Sequence, residues 1–231
     1  AANGNHPVEV YRFFRDGLGA RFIQFIAIVE RENETGFQEG HTATKRSVKP
    51  KQYGSFLSGV FDEWVKRDVA QVYVQMLDVA LGAWYGQGSA ACVFAPTCGT
   101  APALEHTGDL YACDHFVEPN YYLGNIMEQP MAELVGGEVQ RRFGRDKRDK
   151  LPSYCRECEF LFACHGGCPK NRFVTTPKGE DGLDYLCAGY KIFFNHVDLP
   201  MRIMTSMLRQ NRAPADVTAV LEAEEAQRFA D

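Results

Sequence analysis

The chain has 231 residues, of which 45% are hydrophobic and 24% charged, with a formal net charge of −5 and a pI near 5.7. That length builds a sizeable core, as one large domain or two small ones, without covalent staples. The acidic balance argues against the concentrated positive face of a nucleic-acid binder. No stretch reaches the roughly 18–20 uninterrupted apolar residues of a membrane-spanning helix, since Phe22–Val29 already contains Gln24 and ends at Glu30. The sequence begins at Ala1 and carries no basic, apolar and small-residue run of a secretory signal, so a soluble, cytoplasmic protein with no membrane or nucleic-acid partner is expected.

In chain order, Val10, Phe13 and Phe14 follow Pro7 at helical spacing, and Phe22–Val29 reads as a strand buried on both faces. Together they make one helix-to-strand unit of a parallel sheet. Residues 31–54 are polar and rich in Thr, Lys and Gly, a long surface loop of the kind that borders a site. Phe56, Leu57, Val60, Phe61 and Trp64 form a helical apolar stripe, followed by a short strand over Val72–Val74. From Gly86 onward cysteines, glycines and turns take over, which puts a domain boundary near residue 88. Leu104–Ala112, with its Thr107-Gly108-Asp109 turn, reads as a hairpin. Residues 126–150 look helical, 151–185 irregular, and 186–229 hold two helices separated near Pro214, the last with a Glu224/Arg228 pair. The basic run Arg141, Arg142, Arg145, Lys147, Arg148, Lys150 is interrupted by Asp146 and Asp149 and reads as a solvated helix face. There is no internal repeat or low-complexity segment.

The chemistry is carried by eight cysteines: Cys92, Cys98, Cys113, Cys155, Cys158, Cys164, Cys168 and Cys187, spaced C-x5-C-x14-C and then C-x2-C-x5-C-x3-C-x18-C. Four thiolates satisfy one 4Fe–4S cube, so eight satisfy two. The tight Cys155-Arg156-Glu157-Cys158 turn lets two sulfurs converge on one inorganic centre. Zinc sites use similar pairs, an even count is compatible with four disulfides, and free cysteines are common in cores. Spacing alone leaves these alternatives open.

The intervening residues add a resemblance. Cys92-x5-Cys98-Gly99, Gly108-Asp109-Leu110-Tyr111-Ala112-Cys113-Asp114-His115-Phe116-Val117 and Leu123-Gly124-Asn125-Ile126 are similar to a SPASM domain, the auxiliary-cluster module of many radical SAM enzymes. Cys155-Arg156-Glu157-Cys158, Cys164-His165-Gly166-Gly167-Cys168-Pro169-Lys170 and Leu186-Cys187-Ala188-Gly189-Tyr190-Lys191 continue it in order, and it reaches back through Phe22–Glu30 and Phe61–Trp64. The chain resembles the C-terminal part of the anaerobic sulfatase-maturating enzymes.

That resemblance implies an α+β architecture: the last helix and strand units of a partial (β/α)6 barrel over residues 1–87, then a SPASM domain with a β-hairpin and C-terminal helices over 88–231. It implies two interleaved 4Fe–4S clusters, one on Cys92, Cys98, Cys113 and Cys168, the other on Cys155, Cys158, Cys164 and Cys187. The parent would use S-adenosylmethionine and a third cluster on a Cys-x3-Cys-x2-Cys motif that does not occur here, so this portion alone is expected to be inactive. The implied reaction oxidises a Cys or Ser of a sulfatase polypeptide to Cα-formylglycine, with Asp114 as base and an electron donor or acceptor protein as further partner. Gln24, the one polar residue inside the apolar strand, is a candidate for lining the cofactor cavity, against the plainer reading of a buried, bonded amide. His115 and His165 flank cysteines and are candidates for tuning a cluster through hydrogen bonds, while His106 reads as structural. Gly166-Gly167 would let backbone amides approach the cluster sulfurs. A radical SAM/SPASM enzyme acting on a ribosomal peptide and a non-catalytic zinc-binding interaction domain are the competing functions.

Overall fold

The computed structural model describes residues 2–99 and 101–228. A single helical turn leads into α1 (Pro7–Arg12), which widens into a π-turn over Phe13–Gly17. There follow β1 (Phe22–Ile23), α2 (Pro50–Trp64), β2 (Tyr73–Val74) and α3 (Gln75–Tyr85), then β3 (Ala103–Leu104), β4 (Asp109–Tyr111) and β5 (Tyr122–Asn125). Next come α4 (Met131–Val135), α5 (Glu138–Asp149), the short α6 (Ser153–Arg156) and α7 (Leu161–Cys164), and finally α8 (Cys187–Arg209) and α9 (Val217–Arg228). The class is α+β: β1 and β2 pair in parallel, and β3–β4–β5 form a separate antiparallel sheet. Among the described residues, no helix is long and apolar enough to cross a membrane.

The chain divides into two compact units. The first comprises Ala1–Ile28, Arg46–Ser89 and Leu186–Asp231, the second Val29–Lys45 and Ala90–Tyr185. In the first unit α8 lies along α2. Leu57, Val60 and Trp64 of α2 and Phe193, Val197 and Met201 of α8 are almost wholly buried, each contributing about 1.5–3 kcal/mol of apolar burial. The helices close in through Gly54 and Gly189: a Cβ on Gly54 would lie 2.4 Å from the Gly189 carbonyl oxygen, and one on Gly189 2.1 Å from that of Pro50. Asp68 is buried and takes hydrogen bonds from the Tyr11 hydroxyl (2.9 Å) and the Arg15 guanidinium (2.6 Å), so its charge is paired rather than stranded.

Four expectations need correction here. The run Phe22–Val29 is a strand only over its first two residues, and it is not buried on both faces. Phe22 is 83% and Ile26 76% exposed, whereas Ile23 and Val29 are buried. The physical reason is that β2 offers only two residues of ladder, and the carbonyls beyond go elsewhere: Phe25 accepts from the Tyr53 hydroxyl (2.9 Å) and Ile28 from the Val48 amide (3.0 Å). Gln24 within it is exposed, so it is not a buried amide. The long loop ends at Lys49, because Pro50 is pre-set for the first helical turn. The helical stretch expected over 126–150 starts at Met131, beyond the turn that follows β5, and runs as two helices because Gly136 and Gly137 break it. The Glu224/Arg228 pair lies outside the residues whose side chains are described.

In the second unit the hairpin over 104–112 forms as expected and gains β5 as a third strand. Its turn uses Gly108 at φ 90°, where a Cβ would meet the Asn125 side chain at 2.7 Å. The loop Val29–Lys45 is strapped onto the cysteine-bearing segment of the same unit. Arg31 donates to the Lys170 carbonyl at 2.7 and 3.1 Å and stacks over the Phe173 ring, while Lys170 donates back to the Val29 carbonyl at 2.8 Å.

Candidate metal centre

The organising element is one face of α5. Gln140, Gly144 and Lys147 stand at i, i+4 and i+7, one stripe of the helix, and all three are buried. The Gln140 amide donates to the carbonyls of Gly99 (3.2 Å) and Ala112 (3.1 Å), neighbours of Cys98 and Cys113. The Gly144 carbonyl accepts from the Cys98 amide at 3.0 Å, and a Cβ at Gly144 would lie 2.8 Å from the Cys98 carbonyl oxygen. The Lys147 ammonium donates to the carbonyls of Cys92 and, at 3.0 Å, Val93. A single helix face thus holds three of the backbone segments that carry cysteines.

Arg172 ties in the fourth segment. Its guanidinium donates to the Lys147 carbonyl (2.6 Å) and to the carbonyls of Gly166 (2.8 Å), His165 (2.9 Å) and Gly167 (3.3 Å). His165, Gly166 and Gly167 are three consecutive residues at positive φ, which is how the chain turns between Cys164 and Cys168. At Gly167 a Cβ would fall 2.1 Å from the Asp184 carboxylate, so glycine is required there on two counts.

Burial pushes the Cys113 thiol up to about 12 and Cys168 up to about 11, and raises Cys98. Burial alone holds these thiols protonated, so a metal ion and the neighbouring cations are what would favour thiolates here. Lys147 is only 1% exposed, and burial lowers its pKa while Cys98, Cys168 and Cys92 favour its charged form. Burial acts on Arg172 in the same direction. Soft thiol donors beside a buried lysine and a half-buried arginine fit an iron–sulfur cube, whose thiolate ligands are negative and whose charge the cations offset. None of the eight cysteines forms a disulfide. Among the described residues no three His, Cys, Asp or Glu side chains converge closely enough for a single ion. A cube spreads its thiolates over four irons and asks for a wider set than one tetrahedral ion does.

The other sequence-predicted residues fall as follows. Cys155 is buried in α6, Cys158 lies just beyond it, Cys164 closes α7, and Cys187 opens α8, in the first unit. Asp114 is exposed, with its carboxylate 3.2 Å from the Cys113 thiol that donates to it and 4.0 Å from His115 Nδ1. Burial depresses the pKa of His115 and of His165, and His106 is largely exposed. Gln24 borders an open cavity of about 340 Å³ within the first unit, with Val10, Phe14, Phe25 and Tyr53. Sequence reasoning missed Lys147, Arg172 and Gln140. The basic run is indeed exposed at Arg141, Arg142, Arg145, Arg148 and Lys150, but its reading as a solvated face fails at Lys147, because the α5 stripe turns that one residue inward.

Residues 92–159 match the SPASM family, an iron–sulfur cluster-binding domain. The chain is 43% identical over 229 residues to a serine-type anaerobic sulfatase-maturating enzyme of Bacteroides thetaiotaomicron, covering 95% of this chain and 55% of that protein. It is 32% identical to the serine-type enzyme of Klebsiella pneumoniae (80% and 43% covered) and 29% identical to the cysteine-type enzyme of Clostridium perfringens (83% and 50%). The solved structure of native anSMEcpe with bound AdoMet and Cp18Cys peptide superposes with a TM-score of 0.75 at 27% identity, covering 90% of this chain and 56% of that one. The chain therefore spans about half the length of the curated relatives it matches. It is a homologue of the C-terminal part of the anaerobic sulfatase-maturating enzymes, radical SAM proteins, and carries their iron–sulfur SPASM domain.

Proposed function

We propose that this chain is the auxiliary-cluster and substrate-facing portion of a cytoplasmic sulfatase maturase that converts a Cys or Ser of a sulfatase polypeptide to Cα-formylglycine. The observation that carries it is the α5 stripe, which gathers the backbone around Cys92, Cys98 and Cys113 and reaches the Cys164–Cys168 turn through Arg172. Cys92, Cys98, Cys113 and Cys168 would hold one 4Fe–4S cluster; Cys155, Cys158, Cys164 and Cys187 would hold a second. When bound, the clusters supply one-electron acceptors for a reaction that must shed electrons from substrate.

Asp114 is the base of this proposal. Its carboxylate would take the proton from the substrate thiol or hydroxyl, and S-adenosylmethionine bound elsewhere in the full enzyme would supply the radical chemistry at the substrate Cβ. Exposure gives it access to an incoming peptide. Gln24 is proposed to line the cofactor side of the first unit's cavity.

The test is anaerobic reconstitution with iron and sulfide quantification beside the absorption spectrum. About eight irons and eight sulfides per chain support two four-iron clusters. Stoichiometric zinc without visible absorption favours a structural binding domain instead.

A further inference from the structure

The basic residues of α5 divide sharply. Arg148 and its basic neighbours along the helix face water, whereas Lys147 is turned inward and is almost completely buried. A buried ammonium is costly unless its surroundings compensate it. Both of its hydrogen-bond partners are carbonyls, those of Cys92 and Val93. The acidic groups acting on it are the thiols of Cys98, Cys168 and Cys92. Arg172 stands differently: it is spread over four carbonyls, and the Asp184 carboxylate faces it ahead of the thiols of Cys155, Cys164 and Cys98. Asp184 also faces Lys170. Lys147 is therefore a fixed positive charge whose natural counterion is a metal–thiolate centre at Cys92, Cys98 and Cys168.

We propose that Lys147 is a positioning residue of the first cluster: its ammonium fixes the Cys92–Val93 turn, and its charge raises that cluster's reduction potential. A cluster's potential follows its net charge, hydrogen bonding and burial, and a cation beside it favours the more negative, reduced state. The inference rests on the ligand assignment proposed above, with Cys92, Cys98, Cys113 and Cys168 on one cluster.

The experiment compares wild type, Lys147→Gln, Lys147→Arg and Arg148→Gln after anaerobic reconstitution, by iron and sulfide content and by potentiometric titration followed by electron paramagnetic resonance. The wild-type iron count tests the two-cluster reading before any variant is compared; a wild type without iron removes both claims. With iron retained, Lys147→Gln is expected to move one couple to more negative potential. At the wild-type midpoint the reduced-to-oxidised ratio falls at least tenfold, about 59 mV for a one-electron couple, while the second couple stays. Lys147→Arg and Arg148→Gln titrate as wild type. An unmoved couple in Lys147→Gln, or an equal shift in Arg148→Gln, overturns the proposal. Iron lost from Lys147→Gln and restored in Lys147→Arg sustains it, whereas iron lost from both overturns it.

Discussion

Gly54 and Gly189 meet backbone to backbone, with room for neither to carry a side chain. Gly54→Ala should therefore destabilise the chain by about 1–3 kcal/mol, as overpacking does, even though alanine is the better helix former. Gly82 in α3 is the comparison: its Cβ would meet only the Gln87 side chain at 3.8 Å. Gly82→Ala should be neutral or stabilise by up to about 1 kcal/mol. Denaturant unfolding of both variants checks the opposite signs.

Cys168→Ala should lower the iron content of the reconstituted chain from about eight to about four and loosen the fold, because binding energy at such sites is folding energy. Iron analysis and circular dichroism report the two effects. Eight irons in this variant would show the ligand partition to be wrong.

Asp114→Asn should leave both clusters and the fold intact, since the carboxylate is exposed and its partners lie at its own turn. In the full-length enzyme it should slow formylglycine formation by about 10²–10⁴, the usual worth of a general base. Mass spectrometry of a sulfatase peptide measures it, and turnover at the wild-type rate would take Asp114 out of the base role.

Asp78 gives a pH dependence. Burial raises its pKa from 3.8 to about 6, against an opposing hydrogen bond from the Val74 amide. The folded chain keeps this proton after the unfolded chain has lost it, so stability falls as pH rises from about 4 to about 6 and is flat with respect to this group above that. Asp78→Asn should remove that slope and raise stability at neutral pH by about 1–2 kcal/mol, allowing for the partial exposure of the carboxyl. Thermal unfolding across that range follows it.

The iron–sulfur domain was legible because its cysteine spacing and the residues between the cysteines are written locally, as in Cys155–Cys158 and Gly108–Phe116. The residues that hold the cysteine-bearing segments together were not. Lys147 sits in a run whose composition says water, and only the i, i+4, i+7 placement of Gln140, Gly144 and Lys147 separates the inward stripe from its neighbours. Even that pattern lacks the apolar residues by which buried faces are usually recognised. Phe22–Val29 misled in the opposite direction: seven apolar residues in eight look doubly buried, yet the pairing available to them ends at Ile23.

The second unit takes Val29–Lys45 from one stretch of chain and Ala90–Tyr185 from another. A gene fragment covering residues 90–185 would contain every cysteine except Cys187 but would lack Arg31 and the Val29 carbonyl, the two groups that grip Lys170. The cysteine region is therefore not a cassette that recombination can lift out at a single breakpoint. Transplanting it into another protein requires carrying its strap along, and its inheritance is tied to that of the segment between Ile28 and Arg46.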